Sequence, residues 1–117
     1  MGFGWFKKSE NKISIDFSDI DSNEKAMELF QKGHLVRIFL MPLEFGGVDG
    51  PMNSLYVPEF VHTLKSRYDA IIEDLLADGK ELEYSATPEY KGKSFIPSKL
   101  MIEVTGETQF SETVNIW

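Results

Sequence analysis

The hydrophobic positions of this chain change period repeatedly, and each change marks an element. Residues 12–17, KISIDF, alternate strictly: Ile13, Ile15 and Phe17 fall on one side, Lys12, Ser14 and Asp16 on the other. That two-residue period predicts a half-buried strand. From Asp21 the period lengthens. Asp21 followed by Glu24 resembles a capping box, Ala26, Met27, Leu29 and Phe30 make an apolar stripe, and Gly33 supplies a left-handed stop, so a short helix is expected over 22–32. HLVRIFLM at 34–41 is apolar on both parities. A strand of that kind is expected in the middle of a sheet, covered on both faces, with Pro42 ending its pairing.

Residues 58–78 carry the strongest periodic signal. Val61, Leu64, Tyr68, Ile71, Ile72, Leu75 and Leu76 recur at helical spacing, with His62, Ser66, Asp69 and Glu73 opposite. Pro58 and Glu59 suit the first turn, and Gly79 ends the run. Short alternating segments follow at 81–87, 98–106 and 107–117, with Gly106-Glu107 as a hairpin turn and Glu112 interrupting the last apolar row. SLYV at 54–57 adds a further short strand. The order predicts an α+β fold: a two-layer sandwich with a mostly antiparallel sheet of about five strands, a long helix packed across it and the short helix nearby. One domain spans 1–117, with residues 1–11 as an N-terminal flap.

Composition narrows the uses of such a fold. The chain has no cysteine, which removes disulfides, thiol catalysis and cysteine-based metal sites and fits a cytoplasmic protein. Its net charge of −7 repels polyphosphate, so no nucleic-acid partner is expected. No apolar run reaches the roughly 20 residues of a membrane span. At the N-terminus, Phe3, Trp5 and Phe6 are read as packing on the domain rather than as a leader, and Phe6 stands where myristoylation needs a hydroxyl.

The motifs that resemble known chemistry fail at decisive positions. Asp19, Asp21 and Asn23 match the start of a calcium loop, but Glu24 replaces its glycine and Phe30 its final glutamate. GKS at 92–94 lacks the upstream glycine of a phosphate-binding loop, since that position is Thr87. GGVDG at 46–50 is not a dinucleotide fingerprint. His34 and His62 have no partner at ligand spacing, and no nucleophile elbow is present. Asp16, Glu83, Glu103 and Glu112 are read as members of a solvated sheet face. No catalytic residue, metal or cofactor is therefore assigned.

Two segments are too elaborate for plain connections. Residues 42–54 link a strand to a strand with three glycines and two prolines, and residues 88–99 interleave Lys91, Lys93 and Lys99 with Tyr90, Phe95 and Pro97. In the first, Leu43, Phe45, Val48, Met52 and Leu55 are expected to close one end of the core, leaving Glu44, Asp49 and Asn53 free. The function read from this is a non-enzymatic protein-binding or regulatory module. Its contact residues are Glu44, Phe45, Asp49, Asn53, Tyr90, Lys91, Lys93 and Phe95, and the three-lysine arm suits an acidic patch on a protein partner. The alternative is a small-molecule-binding or enzymatic cone-shaped fold, with Asp16, His34, Arg37, Tyr56 and Tyr84 furnishing a pocket between helix and sheet. A homodimer through the last strand, which ends at Trp117, is compatible with both.

Overall fold

The computed structural model describes residues 15–117. The flap at 1–11 and the first half of the 12–17 strand lie outside the described residues. The second half is not a strand: Phe17–Asp19 form a 3-10 turn. The Asp16 carboxylate accepts from the Ser18 backbone N–H at 3.0 Å and from its hydroxyl. Such a local side-chain bond competes with strand pairing and here wins. The apolar side chains of the segment are still used, because Ile15 and Phe17 pack on a buried cluster.

The first helix, α1, spans Asn23–Gln31. Its cap is Ser22, whose side chain accepts from the Lys25 N–H at 3.2 Å. Asp21, the expected cap, instead pairs with the Lys25 ammonium at 2.8 Å. Gly33 and Gly79 both take positive φ beyond the two helices, as their positions predict.

Strand β1, Val36–Phe39, pairs antiparallel with β2, Ser54–Val57, in register Val36↔Val57 through Phe39↔Ser54. Among the described residues these two strands form a sheet of their own. The expectation that 34–41 is a central strand is therefore wrong. Its two apolar parities serve different neighbours. Ile38, Val36 and Leu40 join the main core, while Leu35 is buried in a second cluster. Helix α2, Glu59–Ala77, follows β2 directly. Strands β3 (Leu82–Glu89), β4 (Lys99–Gly106) and β5 (Phe110–Asn115) make an antiparallel sheet with β4 in the middle. The α+β class, the five antiparallel strands and the long helix packed on them are thus present, with the strands divided two and three.

One apolar core joins these parts. Ile38, Leu55 and Val57 from the small sheet meet Val61 from α2 and Leu100, Ile102 and Val114 from the large one. The buried line on α2 runs through Val61, Lys65 and Ile72, with Leu64, Tyr68 and Leu75 half-buried beside it. It is rotated from the expected stripe, so Ile71, assigned to the core, is 50% exposed. A lysine can hold the buried place because its stem is apolar.

The second cluster, Ile20, Ala26, Leu35 and Ile96, is closed by the 88–99 segment. That segment is not a free arm. Ser94 and residues 96–98 are buried. The Ser94 hydroxyl donates to Phe17 O at 2.6 Å, and the Phe95 N–H donates to Ile20 O at 2.7 Å. Ser98 O accepts from the Ile116 N–H at 2.7 Å, and the Trp117 indole donates to Ile96 O at 3.0 Å. Backbone pairing of this kind satisfies groups that burial would otherwise strand.

Candidate binding cleft and a buried polar cluster

The 42–54 loop is built from two 3-10 turns, Leu43–Phe45 and Pro51–Asn53. Asn53 holds it shut. Its side-chain oxygen accepts from the Met41 N–H at 2.8 Å, and its amide nitrogen donates to Met41 O at 2.9 Å and to Val48 O at 3.0 Å. Gly47 packs so closely that a Cβ there would stand 2.0 Å from Met41 O, so the loop needs a residue without one. On the outer side Arg37 pairs with Asp49 at 2.9 Å.

This geometry divides the loop's residues differently from the expectation. Leu55 is buried, and Phe45 sets its edge on Tyr84 at a centroid distance of 5.8 Å. Val48 and Met52 do not close the core: they are 72% and 93% exposed. Asn53, read as free, is committed to the loop backbone. The rule that apolar residues go inside fails here because three amide hydrogen bonds, rather than burial, fix the turns.

Opposite the loop, Tyr90 and Phe95 stand exposed, Phe95 between the buried Ser94 and Ile96. Between loop and segment lies an open cleft of about 500 Å³. Asp49 and Pro51 border it from the loop, Tyr90 and Phe95 from the far wall, Met27 from α1 and Tyr56 from β2. Burial raises the Tyr90 phenol pKa above its ordinary value, so it is a neutral donor at physiological pH. Lys91 and Lys93 are exposed at the turn between the two aromatics, with the Lys91 ammonium 4.9 Å from the centre of the Trp117 ring. The cleft thus brings together Asp49, Tyr90 and Phe95 of the sequence-assigned contact residues. Glu44 and Phe45 lie elsewhere, toward α2.

The five residues of the alternative pocket do not converge. Arg37 and Tyr56 border the cleft. Asp16 caps its own turn, where the Ser18 hydroxyl and N–H hold its carboxyl below the usual carboxylate range. His34 precedes β1 and does not border the cleft. Tyr84 faces α2 instead, in a cluster that no motif announced. There the Lys65 ammonium, its side chain only 4% exposed, lies 2.8 Å from Asp69 Oδ2. The Tyr84 hydroxyl donates to the other carboxylate oxygen at 3.1 Å, and the Tyr84 ring lies under the Lys65 nitrogen at 5.4 Å. Burial lowers the Lys65 pKa despite the favourable charge of Asp69. Burial, reinforced by the Asp69 charge, pushes that of Tyr84 far up. The only sequence signal was the i, i+4 spacing of Lys65 and Asp69, which on most helices marks an exposed pair.

Of the sheet-face carboxylates, Glu83 and Glu103 share the outer face with Ser85, Thr87 and Ser111. Glu112 faces the other way, within 3.5 Å of the Tyr68 hydroxyl. Among the described residues no three His, Asp or Glu side chains converge as a metal site. No helix among them is long and apolar enough to cross a membrane. The chain matches no protein-family model, no curated protein and no solved structure.

Proposed function

We propose that the chain is a protein-binding module of the cytoplasm whose contact surface is the cleft between the 42–54 loop and the 88–99 segment. The observation that carries this reading is the display of Met27, Tyr90 and Phe95 around one depression. Soluble proteins seldom expose grouped large apolar side chains without a use, and aromatic residues and methionine are enriched where proteins meet. The walls are held by hydrogen bonds and by a buried strap, so ordering them costs a partner little.

The occupant this surface fits is a short segment of a partner protein bearing an apolar or aromatic side chain flanked by acidic residues. The apolar group fills the space between Tyr90, Phe95 and Pro51, and the acids face Lys91 and Lys93. The chain's net charge of −7 does not oppose this at close range, because salt screens charges beyond about 8 Å. Selection of displayed random peptides on the intact protein tests the reading. Enrichment of an apolar-plus-acidic pattern that is lost with Phe95→Ala and Tyr90→Ala supports it. No enrichment, or enrichment indifferent to both substitutions, overturns it.

A further inference from the structure

A second cavity, of about 240 Å³, opens between β1 and α2 and lies apart from the aromatic wall of the cleft. Lys65, Asp69, Glu44, His62 and Ser66 border it, with Arg37 at its edge. Lys65 reaches it from the core side: its side chain is buried, yet it forms part of the cavity wall. The other charged or titratable groups that face it are Asp69 at 2.8 Å and Tyr84 through its ring, with Glu44 acting at longer range.

We propose that Lys65 is a covalent capture site for a small aldehyde or ketone entering this cavity. The ammonium first gives one proton to solvent. The Nζ lone pair then forms a bond to the carbonyl carbon as the π pair moves to oxygen, and one proton passes from the nitrogen to that oxygen, which restores the nitrogen lone pair in a neutral carbinolamine. The resulting hydroxyl takes a second proton and leaves as water while the nitrogen lone pair closes the C=N bond. The sum is amine plus carbonyl giving imine plus water, with no oxidant or reductant. The protonated imine keeps one positive charge beside Asp69, so the surroundings built for the ammonium also hold the product. Desolvated lysines are the ones proteins use for this chemistry. Asp69 alone would hold the proton on the amine, but Tyr84 occupies its second oxygen, and burial outweighs what remains.

The test needs no variant. The intact protein is treated at neutral pH with propionaldehyde and cyanoborohydride, which reduces each imine to a stable secondary amine, and the labelled lysines are mapped by mass spectrometry. Lys65 is expected to label several-fold faster than the exposed Lys80 and Lys93, and to lose that lead in urea. Its labelling is also expected to level off at lower pH than theirs. Labelling no faster than at the exposed lysines in the folded protein, or a pH profile shared with them, overturns the proposal. Neither result bears on the cleft, because Lys65 does not border it.

Discussion

Asn53→Ala removes three hydrogen bonds at once and leaves the Met41 N–H, the Met41 carbonyl and the Val48 carbonyl without their partner. Two of the three bonds are partly buried. A hydrogen bond contributes about 0.5–1.5 kcal/mol net, and a stranded buried group costs about 1–3 kcal/mol. Counting the Met41 pair at the middle of the first range and the Val48 bond, which water can replace, at little, the loss is about 2 kcal/mol. With a urea slope of about 1–3 kcal/mol per molar, the unfolding midpoint falls by about 1 M. Asn53→Asp keeps the acceptor for Met41 N–H and loses both donors, so it should fall between alanine and wild type or below, as its new charge faces two carbonyls. Urea titration followed by circular dichroism measures all three proteins. A midpoint unchanged within about 0.3 M in Asn53→Ala would refute the claim that this amide holds the loop.

The rotated stripe on α2 predicts opposite outcomes for adjacent isoleucines. Ile72→Ala should cost about 2–5 kcal/mol because Ile72 is only 1% exposed, whereas Ile71→Ala should stay within about 0.5 kcal/mol; equal losses in thermal unfolding would contradict the packing. The raised pKa of Tyr84 makes a pH prediction. A phenol whose folded pKa exceeds its unfolded value contributes stability that is fully present below the unfolded pKa of about 10 and declines as pH rises above it. Tyr84→Phe should therefore lose less stability than wild type between about pH 9 and pH 11, read from urea midpoints across that range, and parallel curves would argue against a buried phenol.

The helices and most strands were legible because their periods are long or clean. Residues 58–78 gave α2 almost to its ends, and the alternation at 98–106 gave β4. What the chain concealed was partnership. HLVRIFLM reads as a central strand by its apolar parities, yet Val36, Ile38 and Leu40 serve one cluster and Leu35 another, on a sheet of two strands among the described residues. KISIDF reads as a strand, but Asp16 spends its carboxylate on Ser18. The cleft was half visible: the 42–54 and 88–99 segments were recognisable as unusual, and Asp49, Tyr90 and Phe95 do border one depression. Asn53 was misread because a polar loop residue looks the same whether it faces solvent or stitches backbone. Lys65 was invisible because only three-dimensional burial separates it from an ordinary surface lysine.

Each sheet comes from an unbroken stretch of chain, 36–57 for one and 82–115 for the other, with α2 strung between them. Every strand therefore finds its mate within its own stretch of chain, and neither array waits for the other to register. Pairing within one stretch of chain costs less entropy than pairing across the whole of it. The slow event in folding this chain should then be the meeting of two ready-made halves, with the helix as the tether that sets how often they collide.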